Sequence, residues 1–260
     1  RIVGARSRKP AINEQWREVY DGIKALRLTQ EEPDTGGGCS GQAAEDAEPK
    51  AKRFQTLVSL MVSAQTKDAK TYEVMTRMKE YGCTVEDILK TDQETLAGLL
   101  YGASFHNNKA KNIRKVAEIL KEQYDGDVPG TYEEVMALPG VGPKMTLLYL
   151  QHCFDRIEGI SVDTHVHRIA NRLGWVNSKA PEQTRAQLEG FIPKDLWGEV
   201  NWLLVGLGQT ICKPVGPLCD QCTVKDLCPT GKTFTPSKKK ARKSSQATQS
   251  QKTAEEASSC

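Results

Sequence analysis

The sequence predicts an all-α protein, and three observations predict it. Apolar residues recur at three-to-four spacing through most of the chain, the period of a helix with one buried face. No stretch alternates apolar and polar residues for long enough to make a half-buried strand. Helix-starting residues and Gly or Pro punctuation fall between the periodic segments.

The elements follow in order. Residues 1–10 are basic and lack an apolar pattern, so they read as a disordered arm. Ile12, Trp16, Val19, Tyr20, Ile23 and Leu26 form one stripe of a first helix within 11–30. Residues 31–50 are rich in Gly, Asp and Glu and have almost nothing to bury, so they read as an exposed linker or insertion. From Phe54 helices succeed one another, beginning with a core face of Leu57, Val58, Leu60 and Met61. Thr66 is placed to cap a helix that reaches Tyr81 and buries Tyr72, Met75 and Met78. Short helices are expected over 85–89 and 94–100. Asn107 or Asn108 then starts a longer one, with Ile113, Val116, Ala117, Leu120 and Tyr124 on one stripe. Thr131 and Glu134 stand at capping-box spacing before a short helix over 132–137. Pro143 suits the first turn of the next helix, Asp163 can cap another to about Leu173, and Pro181 opens a third. Residues 196–211 form a strongly apolar final helix. Residues 231–260 read as a disordered basic tail containing Lys238-Lys239-Lys240-Ala241-Arg242-Lys243.

The totals bound the classes. A chain of 260 residues accommodates one large or two modest domains. Its formal net charge of +3 is a weak signal for nucleic acid, so a basic surface requires uneven distribution. No apolar run approaches a membrane span. The first residue is Arg rather than Met, which leaves room for an upstream leader. Of eight cysteines, Cys39, Cys83, Cys153 and Cys260 are scattered, while Cys212, Cys219, Cys222 and Cys228 lie together. Four thiols at C-x6-C-x2-C-x5-C spacing point to a metal site in a reducing compartment. The spacing alone leaves zinc and an iron–sulfur cluster both open.

Leu138-Pro139-Gly140-Val141-Gly142-Pro143-Lys144 is the most informative stretch. Two glycines let the backbone approach a partner, and the N–H groups at the second helix's start suit an anion such as DNA phosphate. Lys144 falls in the first turn, where the macrodipole disfavours an ammonium. That placement suits an amine used for chemistry.

Together with Val162-Asp163-Thr164-His165-Val166-His167-Arg168, Ser63-Ala64-Gln65-Thr66-Lys67-Asp68 and the four cysteines, this stretch resembles the endonuclease III-like DNA glycosylases of the helix-hairpin-helix superfamily, eukaryotic branch. The resemblance covers about 11–30 and 51–230. It implies two helical domains: 51–156, a six-helix domain carrying the hairpin, and 11–30 plus 157–230, an iron–sulfur cluster domain, with the cleft between them. It implies a [4Fe–4S] cluster on Cys212, Cys219, Cys222 and Cys228. Lys144 corresponds to the nucleophile and Asp163 to its proton acceptor and electrostatic partner. Gly140 and Gly142 match the DNA-gripping hairpin, and Gln65 and Phe105 match residues that fill the gap left by an extruded base. Asp68 matches a pocket residue and His165 a substrate contact. The expected partner is double-stranded DNA with damaged bases or abasic sites, bound by a monomer; the nucleus is the expected compartment, with the mitochondrion left open as an alternative.

The chemistry agrees with those residue types. A neutral lysine amine can capture C1′ of the sugar, form an imine and permit β-elimination. A lysine of ordinary pKa, about 10.4, must first lose solvation or meet positive potential. Read without the family, Asp163 is an N-cap, His165 a structural histidine, Gln65 a loop residue and Phe105 a core aromatic. Two other functions remain in view: a monofunctional glycosylase of the same superfamily, and a non-enzymatic helix-hairpin-helix DNA-binding module.

Overall fold

The structure, a computed structural model, describes residues 15–29 and 43–235. Every regular element among the described residues is helical. The α-helices are α1 (Trp16–Leu28), α2 (Pro49–Ser63), α3 (Asp68–Tyr81), α4 (Val85–Lys90), α5 (Gln93–Leu99), α6 (His106–Gln123), α7 (Tyr132–Met136), α8 (Pro143–Phe154), α9 (Thr164–Arg172), α10 (Pro181–Glu189), α11 (Trp197–Thr210) and α12 (Pro229–Lys232). Single 3₁₀ turns occupy Lys194–Leu196 and Cys219–Gln221. No helix among the described residues is long and apolar enough to cross a membrane.

Two hydrophobic cores organise these helices. One gathers Phe54, Leu57, Met75, Ile88, Ile113 and Leu150, with the rest of the apolar faces of α2–α8. The other joins Val19, Tyr20 and Ile23 of α1 to Val166 and Ile169 of α9 and to Leu203, Leu204 and Leu207 of α11. The second core is therefore built from both ends of the chain. On its surface Glu199 accepts hydrogen bonds from the Tyr20 hydroxyl (2.7 Å) and the Lys24 ammonium (2.6 Å), tying α1 to α11.

Several local expectations shift. Thr66 does not cap α3; Lys67 holds that position without a side-chain cap, and Thr66 Oγ1 instead accepts from Lys109 Nζ (3.0 Å) and the Ser104 N–H (3.1 Å). Tyr72 is exposed, and the buried face of α3 is Thr71, Val74, Met75 and Met78. Rotating a helix by one position moves a side chain by about 100°, enough to reverse Tyr72. α6 starts at His106, with Phe105 as its N-cap residue in left-handed backbone, rather than at Asn107 or Asn108. Pro49 and Lys50, at the edge of the stretch read as linker, already belong to α2. Gly231 and Lys232, read as tail, close α12. The basic arm, Ile12, most of the linker, the lysine-rich run, Cys39 and Cys260 lie outside the described residues.

The loop between α7 and α8 sets the hairpin. Thr131 caps α7, its hydroxyl accepting from the Glu134 N–H, and Pro143 opens α8. Gly140 has φ +80°, and a Cβ there would come 2.5 Å from Asn112 Nδ2 on α6. Backbone geometry and packing both require glycine. At Gly142 a Cβ would meet nothing within 4 Å, so nothing inside the chain excludes a side chain from that face. Gly140→Ala should destabilise the fold by about 1–2 kcal/mol from its backbone alone, and calorimetric melting should show Gly142→Ala costing less. Equal melting of Gly140→Ala and wild type would contradict the constraint.

Candidate active site

Two helix N-termini, one from each core, meet where α8 faces α9. Lys144 is the second residue of α8, and its Nζ lies 3.9 Å from Asp163 Oδ2. The Lys144 side chain is 39% exposed and that of Asp163 only 13%. Asp163 is the N-cap of α9: its Oδ1 accepts from the Val166 N–H at 2.8 Å. One carboxylate oxygen thus orders the helix start and the other faces the amine. At 3.9 Å the pair is an electrostatic neighbour rather than a direct hydrogen bond. The Ser161 hydroxyl donates to the Lys144 carbonyl (3.4 Å), and Asn201 of α11 donates to the Ser161 carbonyl (2.9 Å). These bonds set the register of the two cores at the pair.

The other sequence-selected residues fall into three groups. Gln65 is exposed in the loop after α2; the Ser104 hydroxyl donates to its carbonyl at 2.7 Å, which places it beside Phe105, itself 65% exposed. Asp68, at the start of α3, accepts from Gln209 Nε2 of α11 at 2.8 Å, a second bridge between the cores. His165 is the second residue of α9 and lies against α11, where a Cβ on Gly208 would reach 2.4 Å from its Nδ1. Arg168 Nη2 lies 3.2 Å from that Nδ1. A guanidinium only donates, so Nδ1 accepts and a neutral ring carries its proton on Nε2.

Cys212, Cys219, Cys222 and Cys228 line one recess enclosing about 420 Å³, part of it open to solvent. Burial pushes the Cys219, Cys222 and Cys228 thiols up, and the neighbouring cysteines raise them further. Arg172 Nη1 donates to Cys212 Sγ, and the Gly231 N–H to Cys228 Sγ, each at 3.4 Å. Arg168 and Arg172 also hold the loop carbonyls of Cys212, Lys213 and Pro214. Among the described residues no three His, Cys, Asp or Glu side chains form a ready site for a single ion.

Sequence reasoning missed Lys109, Asn112, Gln209, Arg168 and Arg172. Lys109 was detectable: it stands four residues before Ile113, on the buried stripe of α6. A cation there needs a partner inside the protein. Gln209 carries no such signal, because its partner is 141 positions away.

Residues 58–194 match the model of the HhH-GPD superfamily base excision DNA repair protein. The chain belongs to this superfamily. It is 46% identical over 223 residues to endonuclease III-like protein 1 of Gallus gallus, covering 85% of this chain and 79% of that one. It is 47% identical over 221 residues to an endonuclease III homolog of Schizosaccharomyces pombe, covering 83% of this chain and 62% of the relative. Among solved structures, a trapped endonuclease III–DNA covalent intermediate superposes with TM-score 0.73 at 28% identity, over 85% of this chain and 97% of that one. Within the HhH-GPD superfamily the chain is thus a base excision repair DNA glycosylase/AP lyase of the endonuclease III type.

The double role of Asp163 can be separated by substitution. Asp163→Asn keeps a capping oxygen and should melt near wild type, whereas Asp163→Ala should lose about 0.5–2 kcal/mol. Equal melting of the two variants would remove the cap from the account.

Proposed function

We propose that this HhH-GPD protein excises oxidised pyrimidines from double-stranded DNA through a Lys144 imine and then nicks the strand by β-elimination. One observation carries the reading: a half-exposed amine in the first turn of α8 lies 3.9 Å from a carboxylate fixed as a helix cap. The covalent endonuclease III–DNA intermediate among its structural neighbours supports it.

In the proposed reaction the C1′–N bond breaks and its electron pair leaves with the base. Lys144 Nζ forms a bond to C1′ and passes a proton to Asp163 Oδ2. The C1′–O4′ bond breaks with its pair on O4′, which takes up the proton held by Asp163 and leaves the protonated imine. Water then takes the C2′ proton, the C2′–H pair forms C2′=C3′, and the C3′–O bond breaks with its pair on the leaving phosphate. The Asp163 carboxylate also faces positive charge developing on the sugar. Gly140 and Gly142 bring the hairpin backbone to a phosphate, where the N–H groups opening α8 are donors. Gln65 and Phe105 occupy the stack after the base leaves it, Asp68 borders the pocket, and His165 turns Nε2 toward substrate.

The four cysteines fit an iron–sulfur cluster. They share one recess, crowding resists their ionisation without a cation, and N–H donors already reach two of the sulfurs. Each thiolate of a [4Fe–4S] cluster binds its own iron, so convergence on one ion is not required. Bound there, the cluster orders the loop from Cys212 to Cys228. We place the enzyme, acting as a monomer, in the nucleus, with mitochondrial DNA a second target. The run Lys238–Lys243 suits nuclear import.

Borohydride added during turnover of a thymine glycol duplex should trap a protein–DNA adduct, and Lys144→Gln should yield none while still binding DNA. Asp163→Asn should turn over about 10²–10⁴-fold more slowly. Base release without nicking or trapping would mark a monofunctional glycosylase. Separately, the purified protein should be coloured and hold about four irons, and Cys222→Ser should lose both. A colourless protein with stoichiometric zinc would reject the cluster.

A further inference from the structure

Lys109 is a cation buried for no purpose that the proposed chemistry uses. It is 8% exposed. Its Nζ donates to the Val62 carbonyl (2.7 Å), the Ala64 carbonyl (2.7 Å) and Thr66 Oγ1 (3.0 Å). Three donors meet three acceptors, as only an ammonium allows. Two of those acceptors end α2, where carbonyls lack helical partners and the macrodipole is negative. Burial without a carboxylate partner pushes the group down to about 8. The lysine therefore acts as a side-chain cap on the C-terminus of α2.

What that cap holds is unusual. Gln65, the next residue but one after α2, has φ +54°, and Phe105 has φ +56°. Left-handed backbone after a helix normally takes glycine, and an N-cap normally takes Ser, Thr, Asp or Asn. Glutamine and phenylalanine satisfy neither preference, and both side chains are exposed. The two loops are closed on each other. Thr66 Oγ1 accepts from both Lys109 and the Ser104 N–H, and the Ser104 hydroxyl donates to the Gln65 carbonyl. Lys109 also begins the buried stripe of α6, four residues after Phe105.

We propose that Lys109 is a positioning residue that locks Gln65 and Phe105 into one preformed wedge, so that the two side chains enter the DNA stack together. The inference rests on the wedge role given to those two residues above. Strained conformations of exposed side chains persist only where surrounding bonds over-determine them, and this network supplies those bonds. A flexible wedge would have to be ordered during base extrusion, the step that already costs the most when the base is paired.

The test compares thymine glycol placed opposite adenine in a duplex with the same lesion inside an unpaired bubble, by single-turnover excision with the full-length protein. 2-Aminopurine beside the lesion reports unstacking. Lys109→Met should lower the ratio of paired to bubble rates by about tenfold, equivalent to about 1.4 kcal/mol, and should reduce the unstacking signal. Lys109→Arg should restore part of the ratio. Thr66→Val, which leaves the two carbonyl bonds in place, should shift the ratio in the same direction by less, and it serves if Lys109→Met does not fold. Equal losses on both substrates, or no loss, would overturn the proposal. Gln65→Ala and Phe105→Ala are the controls: if neither changes the ratio, the wedge reading itself fails, whereas a change in them without one in Lys109→Met removes only the role of Lys109.

Discussion

The approach of Lys144 to Asp163 depends on two helix starts being held face to face across the seam between two cores. Each start presents unpartnered N–H groups and a positive end of its dipole. The α9 end is satisfied from within, by the Asp163 carboxylate. The α8 end is not: it carries a lysine, a charge the dipole disfavours, and its nearest carboxylate belongs to the other core. The pair exists only while the cores keep their register. Ser161 does much of this, bonding back to the Lys144 carbonyl and receiving Asn201 of α11. Asp68–Gln209 and the hydrogen bond from Gln151 to the Gly198 carbonyl hold the same seam elsewhere.

How much of this was legible in the sequence follows from the range of each interaction. The caps at Asp163 and Thr131 and Pro143 at a helix start are settled within four residues and stand where the sequence placed them, although Glu134 meets the Thr131 hydroxyl rather than the Thr131 N–H and so does not close the box. Thr66 looked like the same kind of signal and is not one. A threonine has one hydroxyl, and here Lys109 and Ser104, about forty positions away, claim it in preference to the start of α3. Tyr72 failed differently: α3 buries little, and a weakly amphipathic helix does not state its rotation well. The division into two cores was not readable from periodicity, because α1 packs on helices nearly two hundred residues downstream.

Departures from local preference separate into two kinds. Among the described residues four non-glycine positions have positive φ: Gln65, Phe105, Asp125 and Asp155. The two aspartates follow the C-termini of α6 and α8, a setting in which a short polar side chain tolerates the left-handed region. They are ordinary helix stops. Gln65 and Phe105 have no such excuse, since an amide and a phenyl ring gain nothing from that backbone and lie in solvent.

Lys144 belongs with this second kind, a cation at the wrong end of a helix. Gly142, an ordinary N-cap residue for α8, adds a face without a side chain where the chain leaves room for one. The two cores are predominantly apolar and buried, so these departures are not a general looseness of the fold. A sequence retains a locally unfavourable residue when something outside the chain makes use of it. The amine of Lys144, the bare backbone at Gly142 and the side chains of Gln65 and Phe105 are all open to solvent wholly or in part. In the proposed function these are the parts that reach a sugar, hold a phosphate and enter a base stack, and the cores behind them serve to keep the set in place.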